Sequence, residues 1–347
     1  MVNEMKDTDF LSLTTMLRAR ETFMLTKDKI GRMLDARDIG DAAKILVDCG
    51  YPDMSGMSAG QMEGVLQKRR SDVFGELSGN ENARQLIDLF RMKYDYHNVK
   101  VLVKTSSEER GKRKEEREGM HDASLLSAAS LLSASGRVGV DAISEAFVTG
   151  DRSGLPKAVA SALVAASGIL ARTGNPQLAD IEIDKTYFAE LLAHAEGLEN
   201  DFVTGYIRLL IDSANLRIFV RSVRTGRDVD FVRLALIPGG AVGVGAIEAS
   251  YADHSLAPFA GSAMDEAARL GADALKGGAQ TLFELACDNA ALRYFDSTIF
   301  IGFGPAPVFA YLAKLEWEIT AVRMILTGKL TGISPDIIRE RLRDCHV

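Results

Sequence analysis

Apolar residues recur at helical spacing along most of the chain, and an acidic residue begins three of these apolar stripes. An α-helix places residues i, i+4 and i+7 on one face. In each of the three stripes that face carries an acid followed by two apolar side chains. The sets are Asp95, Val99 and Leu102; Asp212, Leu216 and Phe219; and Glu318, Val322 and Ile325. An acid at the head of an apolar stripe is therefore a repeated feature of this sequence.

The neighbours of the three acids repeat in part as well. The first two acids are followed at i+3 by an amide, the third by alanine, and all three by a base at i+5. These neighbours are Asn98 and Lys100, Asn215 and Arg217, and Ala321 and Arg323. A second marker is a short helix predicted to begin with an aspartate N-cap, at Asp41, Asp141 and Asp230. Two markers in the same order, three times over, predict a triplicated helical unit.

Helical signals dominate elsewhere too, so the sequence predicts an all-α fold. Strand patterns are nearly absent and Pro is scarce, at 8 residues. Ser334 is a predicted N-cap with Pro335 at the first helical position of a terminal helix. The weakly polar stretch from Ala158 to Ala171 is shorter than the ~20 residues of a membrane-spanning helix, which favours a helix buried in protein.

Three comparable subdomains follow from the repeat. Their predicted bounds are residues 1–120, 121–225 and 226–347. The mixed charge run Ser106–Asp122 is the candidate first linker, although it could instead be a solvated helix. The second boundary is predicted near Val223–Asp230, where Gly226 could end a helix.

Composition narrows the class of protein. The chain has 347 residues, of which 47% are hydrophobic and 26% charged, a normal balance for a soluble globular protein. Its net charge of -7 gives no support for nucleic-acid binding. Cys49, Cys287 and Cys345 form no CxxC pair, so neither a disulfide framework nor a zinc site is predicted. With no export signal at the N-terminus, the chain is interpreted as cytosolic and reduced.

Two glycine-containing motifs look chemical and are interpreted as structural. Gly56–Gly60 matches GxSxG with Ser58 in the nucleophile position, but no strand-length apolar run precedes it, so a loop and helix start are predicted. Pro238–Glu248 lacks the spacing of a phosphate-binding loop and is predicted to connect helices. No catalytic constellation, cofactor site, metal site or direct nucleotide binding is expected.

The three acids remain, and two interpretations of them stay open. In the structural one, each acid lies at a boundary between helices and is satisfied by an Arg or a backbone N–H, since buried carboxylates need partners. In the functional one, three related helices surround a pseudo-threefold axis and present the acids to a shared polar cavity. The pattern alone does not choose between them.

Those stripes and the blocks around them resemble one family, over nearly the whole chain. The blocks are residues 17–46, residues 184–217 and residues 315–342, the last with Glu316, Glu318, Arg323, Gly328, Lys329 and the run Ile338–Leu342. The resemblance is to the central-stalk rotor connector of rotary ATPases, which is the C subunit of A-type and bacterial V-type enzymes and the d subunit of vacuolar ones.

This resemblance implies a funnel-shaped, all-α protein with three subdomains around a pseudo-threefold axis and a central cavity. It implies a non-catalytic, peripheral subunit on the cytoplasmic face of the membrane. The implied partners are the membrane proteolipid ring and the central-axle subunits of the catalytic head, between which the connector transmits torque for ATP-linked proton or sodium transport.

Details of the contacts are hypotheses. Asp95, Asp212 and Glu318 would face basic residues of the axle, and the loops Tyr51–Gly60 and Pro238–Ala246 would contact the ring. The leading alternative is an all-helical repeat scaffold that recruits cytosolic partners. A further alternative is a hydrolase that uses Ser58.

Overall fold

The computed structural model describes residues 6–110 and 131–342, and within these residues every regular element is helical. The α-helices are α1 (Leu11–Glu21), α2 (Lys27–Asp35), α3 (Ile39–Val47), α4 (Ala59–Leu77), α5 (Glu81–Arg110), α6 (Val140–Thr149), α7 (Lys157–Thr173), α8 (Pro176–Gly197), α9 (Asp201–Arg224), α10 (Val229–Ala235), α11 (Val244–Ala249), α12 (Asp265–Leu275), α13 (Gln280–Arg293), α14 (Pro305–Leu330) and α15 (Pro335–Arg339). Short 3₁₀ turns lie at Asp7–Phe10, Ala257–Phe259 and Asp296–Phe300. The predicted all-α fold is confirmed.

The chain forms two compact units. One contains Met1–Ile87 together with Ala195–Val347, and the other contains Asp88–His194. The division into three subdomains about an axis stays a prediction. The charge run Ser106–Asp122 is helical as far as Arg110, and its remainder lies outside the described residues.

The unit Asp88–His194 has its own apolar core, contributed by α5 to α8. Val99 and Leu102, from the first predicted stripe, are buried there with Ile143 of α6 and Leu163 of α7. The buried side chains of α7 follow helical spacing and are Val159, Ala162, Leu163, Ala166 and Leu170. The Ala158–Ala171 stretch is thus a helix packed on protein by one face, with Val164 on the other face 52% exposed. No helix in the described part of the chain is long and apolar enough to span a membrane.

The unit that joins the two ends of the chain is built around α9 and α14. Leu216 and Phe219 of the second stripe pack with Phe259 and Phe283, next to α12 and α13. Helix α14 packs against α1, α3 and α4 and is buried on nearly all sides, as expected of a helix that is apolar around its circumference. The stripe headed by Glu318 therefore lies inside this unit.

The predicted aspartate caps of the second marker are wrong, although the helices exist. The N-caps are Asp38, Gly139 and Asp228, so that Asp41, Asp141 and Asp230 lie at the second or third position of α3, α6 and α10. The side chain of Asp38 accepts the N–H of Asp41 at 2.8 Å, and that of Asp228 accepts the N–H of Phe231 at 2.8 Å. An earlier residue with extended backbone begins each helix, and the predicted aspartate falls within the first turn.

Ser58 begins α4 as its N-cap and forms a capping box. Its hydroxyl accepts the N–H of Gln61 at 3.4 Å, and the Gln61 side chain accepts the N–H of Ser58 at 2.8 Å. The segment before Ser58 is irregular within the described residues. The predicted loop and helix start are confirmed, and Ser334 likewise caps α15 by accepting the N–H of Ile337 at 3.4 Å.

Substitution of the Ser58 cap tests this interpretation. We expect Ser58→Ala to lower the free energy of unfolding by about 1 kcal/mol, because the first turn of α4 loses an acceptor, and Ser58→Asn to retain most of the stability. Urea unfolding of the full chain followed by circular dichroism measures both. An equal loss in the two variants would show that capping is not the role of this residue.

Candidate functional site at three buried acids

Asp95, on α5, is fully buried in the unit Asp88–His194 and holds the loop that leads into α6. One carboxylate oxygen accepts the N–H of Val138 at 3.0 Å, and the other accepts the Nε–H of Arg137 at 2.7 Å. One turn along α5, the Asn98 amide forms two hydrogen bonds with the backbone of Ser133, at 2.8 and 3.0 Å. An acid and an amide together therefore fix both ends of a short loop.

Asp212, on α9, makes the same contact in the other unit. Its carboxylate accepts the N–H of Val242 at 3.0 Å and the N–H of Ala241 at 3.2 Å. Asn215 exchanges two hydrogen bonds with the backbone of Ile237, both at 2.8 Å. The loop leading into α11 is fixed as the loop leading into α6 is.

Glu318, on α14, makes the third contact, with a residue near the start of the chain. Its carboxylate accepts the N–H of Leu25 at 2.7 Å and the hydroxyl of Tyr51 at 2.8 Å. Like the other two acids it is buried, and Glu318 itself has no exposed surface. Ala321 replaces the amide here, and the turn before Leu25 is instead closed by the backbone of α1, where the N–H of Met24 donates to Glu21 at 3.1 Å.

The three contacts share one register. Val138, Val242 and Leu25 each lie directly before the N-cap of a short helix, the caps being Gly139, Gly243 and Thr26. Five residues after the contact, each short helix buries an isoleucine: Ile143, Ile247 and Ile30. The short helices of the repeat are therefore α2, α6 and α11, and each is paired with the acid of a long helix.

Glycine allows the close approach in the first two contacts. A Cβ on Gly136 would collide with Oδ1 of Asp95, and a Cβ on Gly240 would collide with Oδ1 of Asp212. The two segments read GRVGVDAI (residues 136–143) and GAVGVGAI (residues 240–247) and are identical at six of eight positions. The acid stripes alone do not reveal this repeat. In the third contact Phe23 takes the glycine position, and the acid is a glutamate, whose additional methylene lengthens its reach.

The base five residues after each acid forms an ion pair with an acidic residue of another helix. In each case this partner helix comes just before an acid-bearing helix: α8 before α9, α13 before α14, and α4 before α5. Lys100 pairs with Asp184 of α8 at 2.6 Å. Arg217 pairs with Glu284 and Asp288 of α13, both at 2.7 Å, and Arg323 pairs with Glu63 of α4 at 2.7 Å. Each copy of the repeat therefore includes an acid that accepts a backbone N–H and a base that pairs with an acidic side chain on another helix.

Burial dominates the electrostatics of the three acids. Removal from water raises the pKa of Asp95, Asp212 and Glu318 above their ordinary values, and the backbone N–H groups that they accept oppose this rise. Every one of them has partners within its own unit. This geometry agrees with the structural interpretation of the acids, and their proposed role toward an axle stays a prediction.

The extent of the sequence match now decides the family. Residues 13–341 match the family described as ATP synthase (C/AC39) subunit. The chain belongs to this family. It is similar to the C subunit of the V-type sodium ATPase of Enterococcus hirae, with 22% identity over 97% of this chain and 99% of that protein. It is also similar to the C subunit of the A-type ATP synthase of Pyrococcus abyssi, with 24% identity over 46% of each chain.

Membership of the C/AC39 family makes this chain a non-catalytic subunit of a rotary ATPase. The resemblance derived from the acid stripes and the terminal block is confirmed. The contacts of Asp95, Asp212 and Glu318 hold loops within this subunit, and the role of the three acids toward other subunits stays a prediction.

Alanine at Gly240 tests the close approach to Asp212. We expect Gly240→Ala to lower the free energy of unfolding by about 1–3 kcal/mol, because the added methyl group forces the loop away from the carboxylate. Gly245→Ala is the matched control: it lies in α11 with open space at its Cβ, and there alanine favours the helix. Equal stability of the two variants in urea unfolding would contradict the contact.

Asp212→Asn tests the buried charge through its pH dependence. Because burial raises the pKa of Asp212, the folded protein binds a proton more tightly than the unfolded chain does. This contribution to stability is fully present below the ordinary aspartate pKa and is lost as pH rises through the raised value. As pH rises from the ordinary aspartate pKa to the raised pKa of Asp212, the free energy of unfolding of the wild type should therefore fall relative to that of Asp212→Asn.

The measurement is a series of urea titrations of both proteins across this acidic range. Asp253→Asn serves as the control, since Asp253 is exposed in the loop after α11. A constant difference between wild type and Asp212→Asn at every pH would be inconsistent with a raised pKa at this position.

Proposed function

We propose that this chain is the rotor connector of a V/A-type ATPase. In this role it couples the central axle of the catalytic head to the proteolipid ring, and it transmits torque for ATP-linked proton or sodium transport. Membership of the C/AC39 family supports a place in the complex. The repeated acid contact supports the mechanical part of the proposal.

The cyclic order of the three acid contacts is the observation that carries the proposal. Asp95 binds the loop before α6 and Asp212 the loop before α11, each a little further along the chain. Glu318 binds the loop before α2, 293 residues back toward the N-terminus. A repeat whose last member pairs with its first segment holds the two ends of the chain in one unit, which supports a body able to transmit torque.

The chemistry of the contacts suits a part that bears load. A buried carboxylate bound to backbone N–H groups at the start of a helix gains from both the hydrogen bonds and the positive end of the helix dipole. Opening such a contact leaves buried donors unpaired, at a cost of about 1–3 kcal/mol. Three of them, added to closely packed apolar cores, favour a body that rotates without deforming.

The proposed assembly lies at the cytoplasmic face of the membrane. Its ring contacts would come from the loops Tyr51–Gly60 and Pro238–Ala246, of which Pro52, Pro238 and Gly239 are exposed. Loops held by a stiff scaffold are suited to such contacts, because binding then costs little ordering.

Depletion and restoration of the chain in membrane vesicles test the function. Vesicles that contain the ATPase complex without this chain should hydrolyse ATP and fail to accumulate ions, since head and ring are then uncoupled. Purified chain should restore ATP-driven ion uptake. ATP hydrolysis and ion uptake are measured in the same vesicles.

Matched variants sharpen this experiment. Gly245→Ala should restore uptake as the wild type does, whereas Gly240→Ala should restore less, because its acid contact is weakened. Full ion uptake by vesicles that lack the chain would overturn the proposal and favour a recruiting scaffold.

A further inference from the structure

A cavity of about 460 Å³ lies in the unit that joins the chain ends, between α1, α4, α14 and the loop after α3. The lining residues that bear on its chemistry are Arg20, Phe23, Tyr51, Lys68, Arg69 and Tyr311. The family assignment and the acid contacts leave this cavity without a role.

Arg69 is the cation of the lining that has no ion pair or hydrogen bond with an acid among the described residues. Its Nη2 donates to the carbonyl of Cys49 at 3.3 Å, and its guanidinium carbon lies 5.1 Å from the centroid of the Tyr51 ring. Its Nε has no hydrogen-bond partner in the described part of the chain and is buried, so it is not itself open to the cavity. A ligand would therefore meet the terminal Nη groups, which carry more donors than the one bond to Cys49 uses.

The other two cations of the lining already have partners. Arg20 pairs with Glu76 through two hydrogen bonds, at 2.5 and 3.0 Å, and Lys68 pairs with Asp72 at 2.8 Å. With these pairs formed, the lining residues carry one formal positive charge, that of Arg69, and Glu318 lies close enough to interact with it. A monoanion matches one positive charge, and Glu76 and Asp72 repel a dianion such as phosphate more strongly than a monoanion.

Apolar side chains supply the rest of the wall. Phe23 is 62% exposed at the cavity, and Pro52, Val65 and Val73 line it as well. A ligand that fits must therefore combine one anionic group with an apolar body. The planar guanidinium of arginine matches the geometry of a carboxylate.

We propose that this cavity binds the carboxylate of an amphipathic monoanion, with Arg69 as the group that recognises it. The carboxylate belongs either to a free organic acid or to an acidic side chain inserted by a partner polypeptide. Recognition rests on one guanidinium stacked on Tyr51 and on an apolar wall. It does not depend on the rotor role.

Tyr51 connects the cavity with the third acid contact. Its ring carries the Arg69 guanidinium on one face, and its hydroxyl donates to Glu318. A ligand bound to Arg69 therefore lies one side chain away from the Glu318 contact. Such a ligand binds the folded chain and not the unfolded chain. The melting temperature of the protein should therefore rise as the ligand concentration increases.

Calorimetric titration of the full chain with sodium benzoate tests the proposal. Benzoate should bind saturably with a dissociation constant of roughly 1 mM. Benzamide, which has the same shape and no charge, should bind at least about tenfold more weakly. This comparison uses only the wild-type protein, so it does not depend on how any variant folds.

The matched variants are Arg69→Gln and Arg172→Gln, which make the same change of charge. Arg172 is exposed on α7 and lies outside the cavity lining. Arg69→Gln should weaken benzoate binding at least about tenfold, and Arg172→Gln should leave it near the wild-type value. A blocked tripeptide with a central glutamate is titrated in parallel. Tighter binding of the peptide assigns the site to a partner polypeptide, and tighter binding of benzoate assigns it to a free acid.

Three results would overturn the proposal. These are the absence of saturable binding of either probe, equal binding of benzoate and benzamide, and unchanged benzoate binding in a folded Arg69→Gln protein. In each case Arg69 would serve only to offset the charge of the nearby buried Glu318.

Discussion

A buried carboxylate must find hydrogen-bond donors inside the protein, and this constraint organises the described structure. Asp95, Asp212 and Glu318 all meet it with the backbone N–H of the residue before a helix N-cap. The donor at that position belongs to a buried loop residue just outside the helix, and a buried backbone N–H needs an acceptor. One contact thus pairs a carboxylate with a loop donor and fixes the position of the loop.

The three copies meet this constraint with different residues. Asp95 adds Arg137, which also binds Glu190, whereas Asp212 relies on two backbone N–H groups and Glu318 adds the Tyr51 hydroxyl. Glycine brings the loop close in the first two copies, and a longer acid spans the distance in the third. Such divergence is permitted because the contact depends on where a carboxylate oxygen lies. It depends little on the side chain that carries it.

The same contacts support the proposal that this non-catalytic subunit bears load in a rotary ATPase. Its three repeated acids are buried and bound to backbone N–H groups. The cavity beside Arg69 differs from them, since it places a guanidinium next to a space large enough for a ligand. Tyr51 contacts both Arg69 and Glu318, so the proposed binding site adjoins a structural contact.

Local patterns in the sequence determined the helices, the three acid stripes, the cap at Ser334, the loop and helix start around Ser58, and the family. Each of these depends on residues within a few turns of one another, where spacing and capping chemistry act directly. The competing aspartates Asp38 and Asp41 show the limit of such patterns, since both can cap a helix. Only the tertiary structure decided which cap is used and how each acid is satisfied. The partner of Glu318 lies 293 residues away at Leu25 and is a backbone N–H, a group that every residue except proline carries and that leaves no signal in the sequence.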